Sequence, residues 1–168
     1  MRVYSFPPIT GPGATRLILG SMPGKASLEA RQYYAHPRNY FWRMMSSILN
    51  VPAEASYETR CEALIGQGLA LWDVLKTCER SSSLDADIVD SSIIPNDFET
   101  FLSQHVGIRT IFFNGAKAEK TYLQHVHPGL PERFAGIRLV RLPSTSPANA
   151  SIPFEVKLQH WQEVGLDG

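Results

Sequence analysis

Residues 16–24 read RLILGSMPG, a short apolar run that ends in glycine and is followed by small residues and a proline. A run of this length fits a strand that is buried on both faces. The glycine and proline that follow it are typical of a tight loop. The stretch therefore predicts a buried strand that leads into a tight loop.

Three further apolar runs predict strands of the same kind. They are LALWDVL at 69–75, TIFFNG at 110–115 and IRLVRL at 137–142. Helices are predicted between and after them, at 40–50, at 57–65, from a capping box formed by Asn96 and Glu99 through Val106, at 116–126, and from Pro153 to the tail. Strands that alternate with helices predict an α/β fold with a parallel sheet and helices on both faces.

Length and composition predict one domain over residues 1–168, because 168 residues with 43% hydrophobic residues are enough for one core. We find no apolar run long enough to cross a membrane and no signal-peptide core at the start of the sequence. We therefore expect an intracellular, cytoplasmic protein without a membrane partner, acting as a monomer. Two cysteines without zinc-site spacing predict neither a disulfide framework nor a structural metal.

Charge is distributed unevenly along a chain whose formal net charge is zero. Residues 1–50 contain six basic residues and one acidic residue, whereas residues 61–110 contain three basic and eight acidic residues. This asymmetry can give one basic face to an anionic partner, or it can reflect ordinary variation among solvated surfaces. The balanced total argues against a polycation that coats nucleic acid.

Three loops rich in glycine, serine, proline and asparagine follow predicted strands. They are GSMPGKAS after the first strand, NGAK after TIFFN, and PSTSPANAS after the last strand. In a parallel sheet, ligands bind outside the carboxyl ends of the strands, so these loops are expected at one site. Each loop alone can also be a simple turn. Neither a Walker loop nor a GxSxG elbow is present, which argues against an NTPase and a serine hydrolase.

Four ordered motifs resemble those of the uracil-DNA glycosylase superfamily, most of all its hypoxanthine-DNA glycosylase branch, family 6. The motifs are GSMPG at 20–24, AHPRNYFW at 35–42, FFNGAKA at 112–118 and LPSTSPANA at 142–150. The match extends from about Leu17 to Trp161. The resemblance implies a three-layer α/β/α sandwich around a four-stranded, mainly parallel sheet. It also implies the release of hypoxanthine, and of uracil or xanthine, from DNA without a metal or an organic cofactor.

The resemblance implies a role for each motif residue. Asn39 matches the catalytic asparagine that orients the attacking water, although asparagine at this place is also a good helix cap. The base-binding residues implied are Gly20, Ser21, Met22, Phe41 as the stacking aromatic, and Asn114 as the reader of the base. The DNA-binding residues implied are Arg38, Ser144, Thr145, Ser146 and Pro147, with Pro147 or a neighbour as the wedge that fills the vacated stack.

The sequence departs from the superfamily pattern at two motifs. Ser21 and Met22 occupy the place where other branches carry a water-activating Asp or Asn, and Leu142 stands where many carry His or Asn. These departures leave more of the chemistry to Asn39. Asp73 and Asp85 are the nearest carboxylates that could help, although acids in such places more often have only strand-end or surface roles. A Schiff-base lyase is not expected, since no lysine occupies a motif position.

Three alternatives remain open at this point. The chain can be a hydrolase of free nucleosides, a non-catalytic protein that binds damaged DNA, or a metal hydrolase that uses His125 and His127. Excision from oligonucleotides but not from free deoxyinosine would exclude the nucleoside hydrolase. Release of the base would exclude the non-catalytic binder, and activity in the presence of chelators would exclude the metal hydrolase.

Overall fold

The computed structural model describes residues 1–166 of the chain. Its strands are β1 (Arg2–Tyr4), β2 (Arg16–Gly20), β3 (Leu69–Asp73), β4 (Leu75–Glu79), β5 (Ile94–Pro95), β6 (Thr110–Asn114) and β7 (Arg138–Leu142). Its α-helices are α1 (Lys25–Ala30), α2 (Phe41–Leu49), α3 (Tyr57–Gly66), α4 (Phe98–Gln104), α5 (Ala116–His125) and α6 (Phe154–Trp161).

The central sheet has the strand order β3-β2-β6-β7, and all its neighbouring strands are parallel. Strands β2, β3 and β6 are buried along their whole length. Burial on both faces explains why each of them reads as a continuous apolar run rather than as an alternating pattern. The predicted four-stranded α/β fold is therefore confirmed.

Successive residues of β2 feed two separate cores, one on each face of the sheet. Leu17 and Leu19 pack in a cluster with side chains of α4 and α5, such as Phe101 and Tyr122. Ile18, on the opposite face, packs in a second cluster with side chains of α2, α3 and α6. The side chains of a strand point alternately to its two faces, so one five-residue strand holds the two helical layers together.

A second sheet was not expected from the sequence. Strands β1, β4 and β5 form a three-stranded antiparallel sheet in which β4 is central. The predicted strand at 69–75 is therefore too long, because β3 ends at Asp73 and Leu75 already belongs to β4. The apolar run continues across this boundary since both strands are largely buried, and periodicity alone does not show where the chain changes sheets.

Three predicted helix boundaries also need correction. The cap of α4 is Asp97, which accepts a hydrogen bond from the Thr100 N–H, while the Asn96 amide donates to the Asp73 carbonyl. The helix ends at Gln104, and Val106 is exposed. Pro153 caps α6 from the position before its first turn. The loop predicted from Gly20 is short because α1 begins at Lys25.

Phe41, the first residue of α2, is fully buried in the core between the sheet and helices α2, α3 and α6. Its ring makes edge contacts with Trp42 and with Trp161 of α6. Its face stacks on the ring of Tyr34, with 4.1 Å between the centroids. Phe41 thus joins α2, α6 and the segment before α2 into one packed unit.

Lys157 of α6 fixes the loop that follows β7. The lysine is fully buried, and its ammonium donates to the Ser144 carbonyl at 2.7 Å and to the Asn149 carbonyl at 2.6 Å. The Trp161 indole donates to the Pro143 carbonyl, which adds a third attachment from the same helix. Burial lowers the pKa of Lys157. The helix therefore holds the loop in place through hydrogen bonds from a buried charged group to loop carbonyls.

We expect Phe41→Ala to lower the free energy of unfolding by about 3–5 kcal/mol, the usual cost of removing a buried phenylalanine. Urea denaturation monitored by circular dichroism measures this change. Tyr4→Ala is the matched control, because Tyr4 is a largely exposed aromatic residue of β1 and its loss should cost less than about 1 kcal/mol. Equal effects of the two substitutions would contradict the core position of Phe41.

We expect Lys157→Met to cost about 1–3 kcal/mol of stability, because it leaves buried carbonyl oxygens without their donor. Hydrogen exchange should accelerate at residues 144–150 more than in the central sheet. Lys120→Met, at an exposed position of α5, serves as the control and should leave exchange unchanged. Unaltered protection of residues 144–150 in Lys157→Met would show that the loop is held by other contacts.

Candidate active site

A cavity of about 420 Å³ opens at the carboxyl edge of the central sheet, where the sequence predicts the binding site. Three strand ends form its floor. Gly20 of β2 pairs with Asp73 of β3, and Leu19 pairs with Phe113 of β6, which brings Asn114 next to Gly20. The order across the floor is therefore Asp73, Gly20, Asn114, with the backbone of Gly20 in the centre.

Gly20 is the position that keeps this floor open. A Cβ atom at Gly20 would lie 2.6 Å from Asp73 Oδ1 and 2.6 Å from the Tyr34 hydroxyl oxygen. Real Cβ atoms do not approach oxygen so closely, so a larger residue here would displace one of the two side chains. The last residue of RLILG must therefore be glycine because two polar side chains leave no room for a Cβ atom, and not only because a turn follows.

Asn114 is held in one orientation by Thr145. The backbone N–H of Thr145 donates to Asn114 Oδ1 at 2.9 Å, and Asn114 Nδ2 donates to Thr145 Oγ1 at 2.9 Å. A backbone N–H can only donate, so this contact identifies the amide oxygen. The Asn114 side chain also interacts with the Tyr34 hydroxyl, so its amide nitrogen is fixed as a donor at the cavity floor.

Asn39 lies at the mouth of the cavity, immediately before α2. Its Oδ1 accepts from the Phe41 N–H at 2.9 Å, a turn that asparagine favours at a helix start. Its backbone N–H donates to the His36 carbonyl. The residue therefore both stabilises the beginning of the helix and presents a carboxamide to the cavity, so the two roles considered from the sequence do not exclude each other.

Phe41 does not line the cavity, and the base-stacking position predicted for it is corrected. The ring is fully buried, and Tyr34 covers the face that points toward the cavity. Tyr34 itself lines the cavity and has a left-handed backbone, with φ of 55°. A bulky residue adopts this conformation at a cost of about 1–2 kcal/mol. The packing on Phe41 holds the Tyr34 ring as the aromatic surface of the cavity.

Asp73 is only 3% exposed, although it lines the cavity. Its Oδ2 has no hydrogen-bond partner among residues 1–166. Burial, and then the nearby Asp85 carboxylate, raise the pKa of Asp73 to about 7, whereas Arg80 acts in the opposite direction. The Asp73 carboxyl group is therefore mostly protonated, and so uncharged, when the pH is below about 7.

Asp85 comes to the cavity from the loop between β4 and β5. Its carboxylate accepts a hydrogen bond of 2.6 Å from the Ser21 hydroxyl. The residue as a whole is exposed, but its carboxyl end faces the cavity wall, where burial raises its pKa and the bonds from Ser21 and the charge of Arg80 oppose that rise. The first motif thus carries Ser21 and Met22 where the pattern of other branches has Asp or Asn, and the Asp85 carboxylate reaches Ser21 from a distant loop.

The tyrosine hydroxyl in this cavity is also shielded from water. Tyr34 Oη has no hydrogen-bond partner of good geometry within the described part of the chain. Burial, and then Asp73, raise the pKa of Tyr34, while the Asn114 side chain acts in the opposite direction. Tyr34 is therefore neutral, and its hydroxyl can donate to an incoming group.

The loop after β7 forms the opposite wall. Ser144, Ser146 and Pro147 line the cavity, and Arg38 lies exposed at its rim. Thr145 also lines the cavity, but it is fully buried and its side chain is bonded to Asn114, so it has no exposed surface for the predicted DNA contact. Its role in the structure is to position Asn114.

Other basic residues of the first fifty occupy different places. Lys25 and His36 line the cavity, which gives its mouth a basic side. Arg43 does not line the cavity, and its guanidinium carbon lies 4.0 Å from the centroid of the Phe154 ring of α6. The charge asymmetry of the sequence therefore corresponds to a basic rim only in part.

Within 1–166, no group of three or more His, Cys, Asp or Glu side chains is arranged to hold a metal ion. None of the helices described is long and apolar enough to cross a bilayer. His125 ends α5, and His127 belongs to the turn that follows it.

Most of the site residues expected from the sequence meet in this cavity. Its lining contains Gly20, Ser21, Met22, Arg38, Asn39, Asn114 and Ser144 to Pro147. Sequence reasoning missed Tyr34 and undervalued Asp73 and Asp85. Tyr34 stands in the aromatic run YYAHPRNYFW, and Asp73 ends a buried strand at the binding edge, so both positions carried a signal.

The sequence of this chain is similar to the sequences of two DNA glycosylases. The chain is 37% identical over 119 residues to a hypoxanthine DNA glycosylase of Methanosarcina barkeri, covering 70% of this chain and 74% of that protein. It is 35% identical over 145 residues to a hypoxanthine DNA glycosylase of Methanosarcina acetivorans, covering 86% of each.

A solved structure has the same fold. It is the solution NMR structure of a candidate uracil DNA glycosylase from Methanosarcina acetivorans, which aligns with a TM-score of 0.81 and 31% identity and covers 98% of this chain and 97% of that one. The model of the uracil DNA glycosylase superfamily matches residues 7–164. The chain therefore belongs to the uracil DNA glycosylase superfamily.

Proposed function

We infer that this protein is a monofunctional DNA glycosylase that hydrolyses the N-glycosidic bond of deaminated bases in DNA, with hypoxanthine as its main substrate. The observation that carries this inference is the cavity floor, where Thr145 fixes the Asn114 amide as a hydrogen-bond donor. Hypoxanthine, xanthine and uracil all present a keto oxygen that accepts such a bond. Adenine presents an amino group at the corresponding place and is rejected by the same donor.

The cavity fits a base that has left the DNA stack. A volume of about 420 Å³ lies within the range of small-ligand pockets and is narrow enough to select for a base rather than for a base pair. Tyr34 provides the aromatic surface on which the base stacks. The exposed Arg38 at the rim and the serine-rich loop opposite are suited to contacts with phosphates on either side of the flipped nucleotide.

Hydrolysis in this site needs orientation more than a strong base. As the glycosidic bond breaks, the sugar becomes cationic and the base becomes electron-rich. The N–H of Asn114 and the backbone of the loop at Ser21 and Met22 stabilise the developing charge on the base. Asn39, at the mouth of the cavity, positions the water that adds to C1′ of the sugar. The products are the free base and an abasic site with an intact strand.

One chain supplies every wall of this cavity, so we propose that the protein acts as a monomer, inside the cell where its DNA substrate is found. Non-catalytic binding and hydrolysis of free nucleosides account less well for the site. A carboxamide next to an open mouth is suited to water, and the serine-rich loop with Arg38 is unnecessary for a free nucleoside.

The direct test is single-turnover excision from duplex and single-stranded oligonucleotides that each carry one hypoxanthine, xanthine, uracil or adenine. We expect strands that break only after alkali treatment, and no release from free deoxyinosine. Tight binding without base release would identify a non-catalytic binder, while release from free deoxyinosine would identify a nucleoside hydrolase.

We expect Asn39→Ala to lower the rate of hypoxanthine release by about 10²–10⁴, the usual contribution of a positioned proton-handling group. Loss of the turn to Phe41 should cost about 1 kcal/mol of stability. Asn39→Ser separates the two effects, because a serine hydroxyl can accept the same N–H but is too short to hold the same water. Melting temperature and excision rate are measured side by side. Recovery of both by serine would restrict Asn39 to the helix start.

We expect Asn114→Asp to reduce release of keto bases and to change the order in which bases are accepted. An aspartate still accepts from the Thr145 N–H, but it has no N–H to donate and repels a keto oxygen. The base panel measures the relative rates. Thr145→Ser retains the backbone N–H and a hydroxyl, so it should keep the wild-type order. Unchanged relative rates in Asn114→Asp would contradict base reading by this residue.

A further inference from the structure

Asp73 is a buried acid in the cavity floor to which the mechanism above gives no role. It lies at the end of β3, opposite Asn114 across Gly20. One of its oxygens is unpartnered among the described residues, and the other lies next to the space above Gly20. The cost of burying such a group without partners requires an explanation, because a structural carboxylate would be expected to accept hydrogen bonds.

The groups that face Asp73 disfavour its ionised form. Tyr33 and Tyr34 are close enough to interact with it electrostatically, and both are neutral since burial raises the pKa of each. Asp85 adds a negative charge, whereas the charge of Arg80 favours the ionised form of Asp73. The Arg80 guanidinium is itself directed to the Pro23 carbonyl. A protonated carboxyl group at Asp73 has an O–H to donate and lacks an acceptor within residues 1–166.

A purine supplies the missing acceptor. Asp73 and Asn114 are two strand spacings apart, roughly 10 Å between backbones, and their side chains flank the part of the floor above Gly20 to which the Tyr34 hydroxyl also points. Hypoxanthine carries O6 on its six-membered ring and N7 on its five-membered ring, and both are acceptors. Because O6 and N7 are neighbouring acceptors on one edge of the purine, a base that presents this edge to the floor with O6 at Asn114 can place N7 on the side of Asp73. A pyrimidine such as uracil has no equivalent nitrogen.

We propose that Asp73 is a catalytic residue specific for purine leaving groups, holding a proton that it donates to N7 of hypoxanthine as the glycosidic bond breaks. This role rests on the proposed function and deepens it, because it gives the departing purine a proton donor that a hydrogen bond to O6 alone does not supply. Asp85 is then a positioning residue that keeps the proton on Asp73 through its negative charge.

The step is balanced. The C1′–N9 bond breaks with its electron pair on the base, and N7 takes the proton of Asp73, so the base leaves neutral and Asp73 becomes a carboxylate. Water adds its oxygen to C1′ and loses one proton. That proton returns to Asp73 directly or through solvent, which restores the free enzyme. No oxidant, reductant or co-reactant other than water is consumed.

Single-turnover release of hypoxanthine from duplex DNA between pH 5 and pH 9 tests the proton. Because the pKa of Asp73 is raised to about 7, the group is protonated below that pH, and the wild-type rate should fall about tenfold per pH unit above it. Asp73→Asn should lose this alkaline decline and be slower by about 10²–10⁴ at pH 6. Asp85→Asn should move the decline to lower pH, because it removes the charge that raises the pKa. The control is Asp90→Asn, at an exposed position.

A binding cycle tests the contact with N7. Duplexes carry hypoxanthine or 7-deazahypoxanthine on a 2′-fluorinated sugar that resists cleavage. At pH 6 the wild type should bind the hypoxanthine duplex about tenfold more tightly than the 7-deaza duplex, and Asp73→Asn should lose most of that preference. A preference that is equal in both proteins would overturn the contact.

Stability provides a readout that does not depend on activity. Between the ordinary pKa of an aspartate and about 7, the unfolded chain has lost the proton that folded Asp73 retains, so wild-type stability falls as pH rises in this window. The difference in melting temperature between Asp73→Asn and wild type should therefore grow in favour of the variant from pH 4 to pH 7 and then level off. A difference that is constant over this range overturns the proposal, whatever the activity.

The outcomes separate the two claims. If the wild type releases hypoxanthine without an alkaline decline, only the role of Asp73 fails. If it releases no base from DNA, while the melting temperatures show the retained proton, the proposed function fails and the leaving-group role fails with it. Should Asp73→Asn not fold, the pH shift expected of Asp85→Asn still decides the proposal.

Discussion

The absence of a side chain at Gly20 is the constraint on which the site depends. The residue ends the central strand β2, between Asp73 on one neighbouring strand and Asn114 on the other. A parallel sheet brings strand ends together, but any Cβ at this position would meet Asp73 Oδ1 and the Tyr34 hydroxyl at 2.6 Å. The glycine therefore turns the meeting point of three strands into a floor with a donor on one side and an acid on the other.

The rigidity of this floor comes from helices that never enter the cavity. Thr145 orients Asn114, and the loop that carries Thr145 is attached to the start of α2 through the Tyr40 N–H and to α6 through Lys157. Phe41 supports Tyr34 from behind. Groups that touch a ligand are thus each fixed by a buried partner, which is the arrangement that preorganised donors require.

The sequence predicts the central sheet well because its strands are buried on both faces and read as uninterrupted apolar runs, as in RLILG and TIFFN. It predicts the second sheet badly, since β1 has three residues and β5 two, too short for any periodicity. Motif positions identify Gly20, Asn39 and Asn114, which the fold brings to one cavity. The helical stripe of α2 does not show that Phe41 points inward and leaves Tyr34 at the surface of the cavity. That outcome depends on the left-handed turn at Tyr34 and on packing against α6.

The two carboxyl groups near the cavity illustrate how one site separates acid from base. Burial raises the pKa of Asp85 as well, but the hydrogen bond from Ser21 and the charge of Arg80 oppose that rise and favour its charged form. Asp73, at the end of β3, is buried and has one oxygen without a hydrogen-bond partner in the described residues. It also faces the charge of Asp85, so its neutral form is favoured. Divergent environments of this kind assign different protonation states to chemically identical groups. Burying Asp73 lowers the stability of the protein at neutral and alkaline pH, a cost typical of residues retained for chemistry rather than for folding. The serine in the first motif is consistent with the same division, because the Asp or Asn that other branches carry there is replaced by a carboxylate that reaches Ser21 from a separate loop.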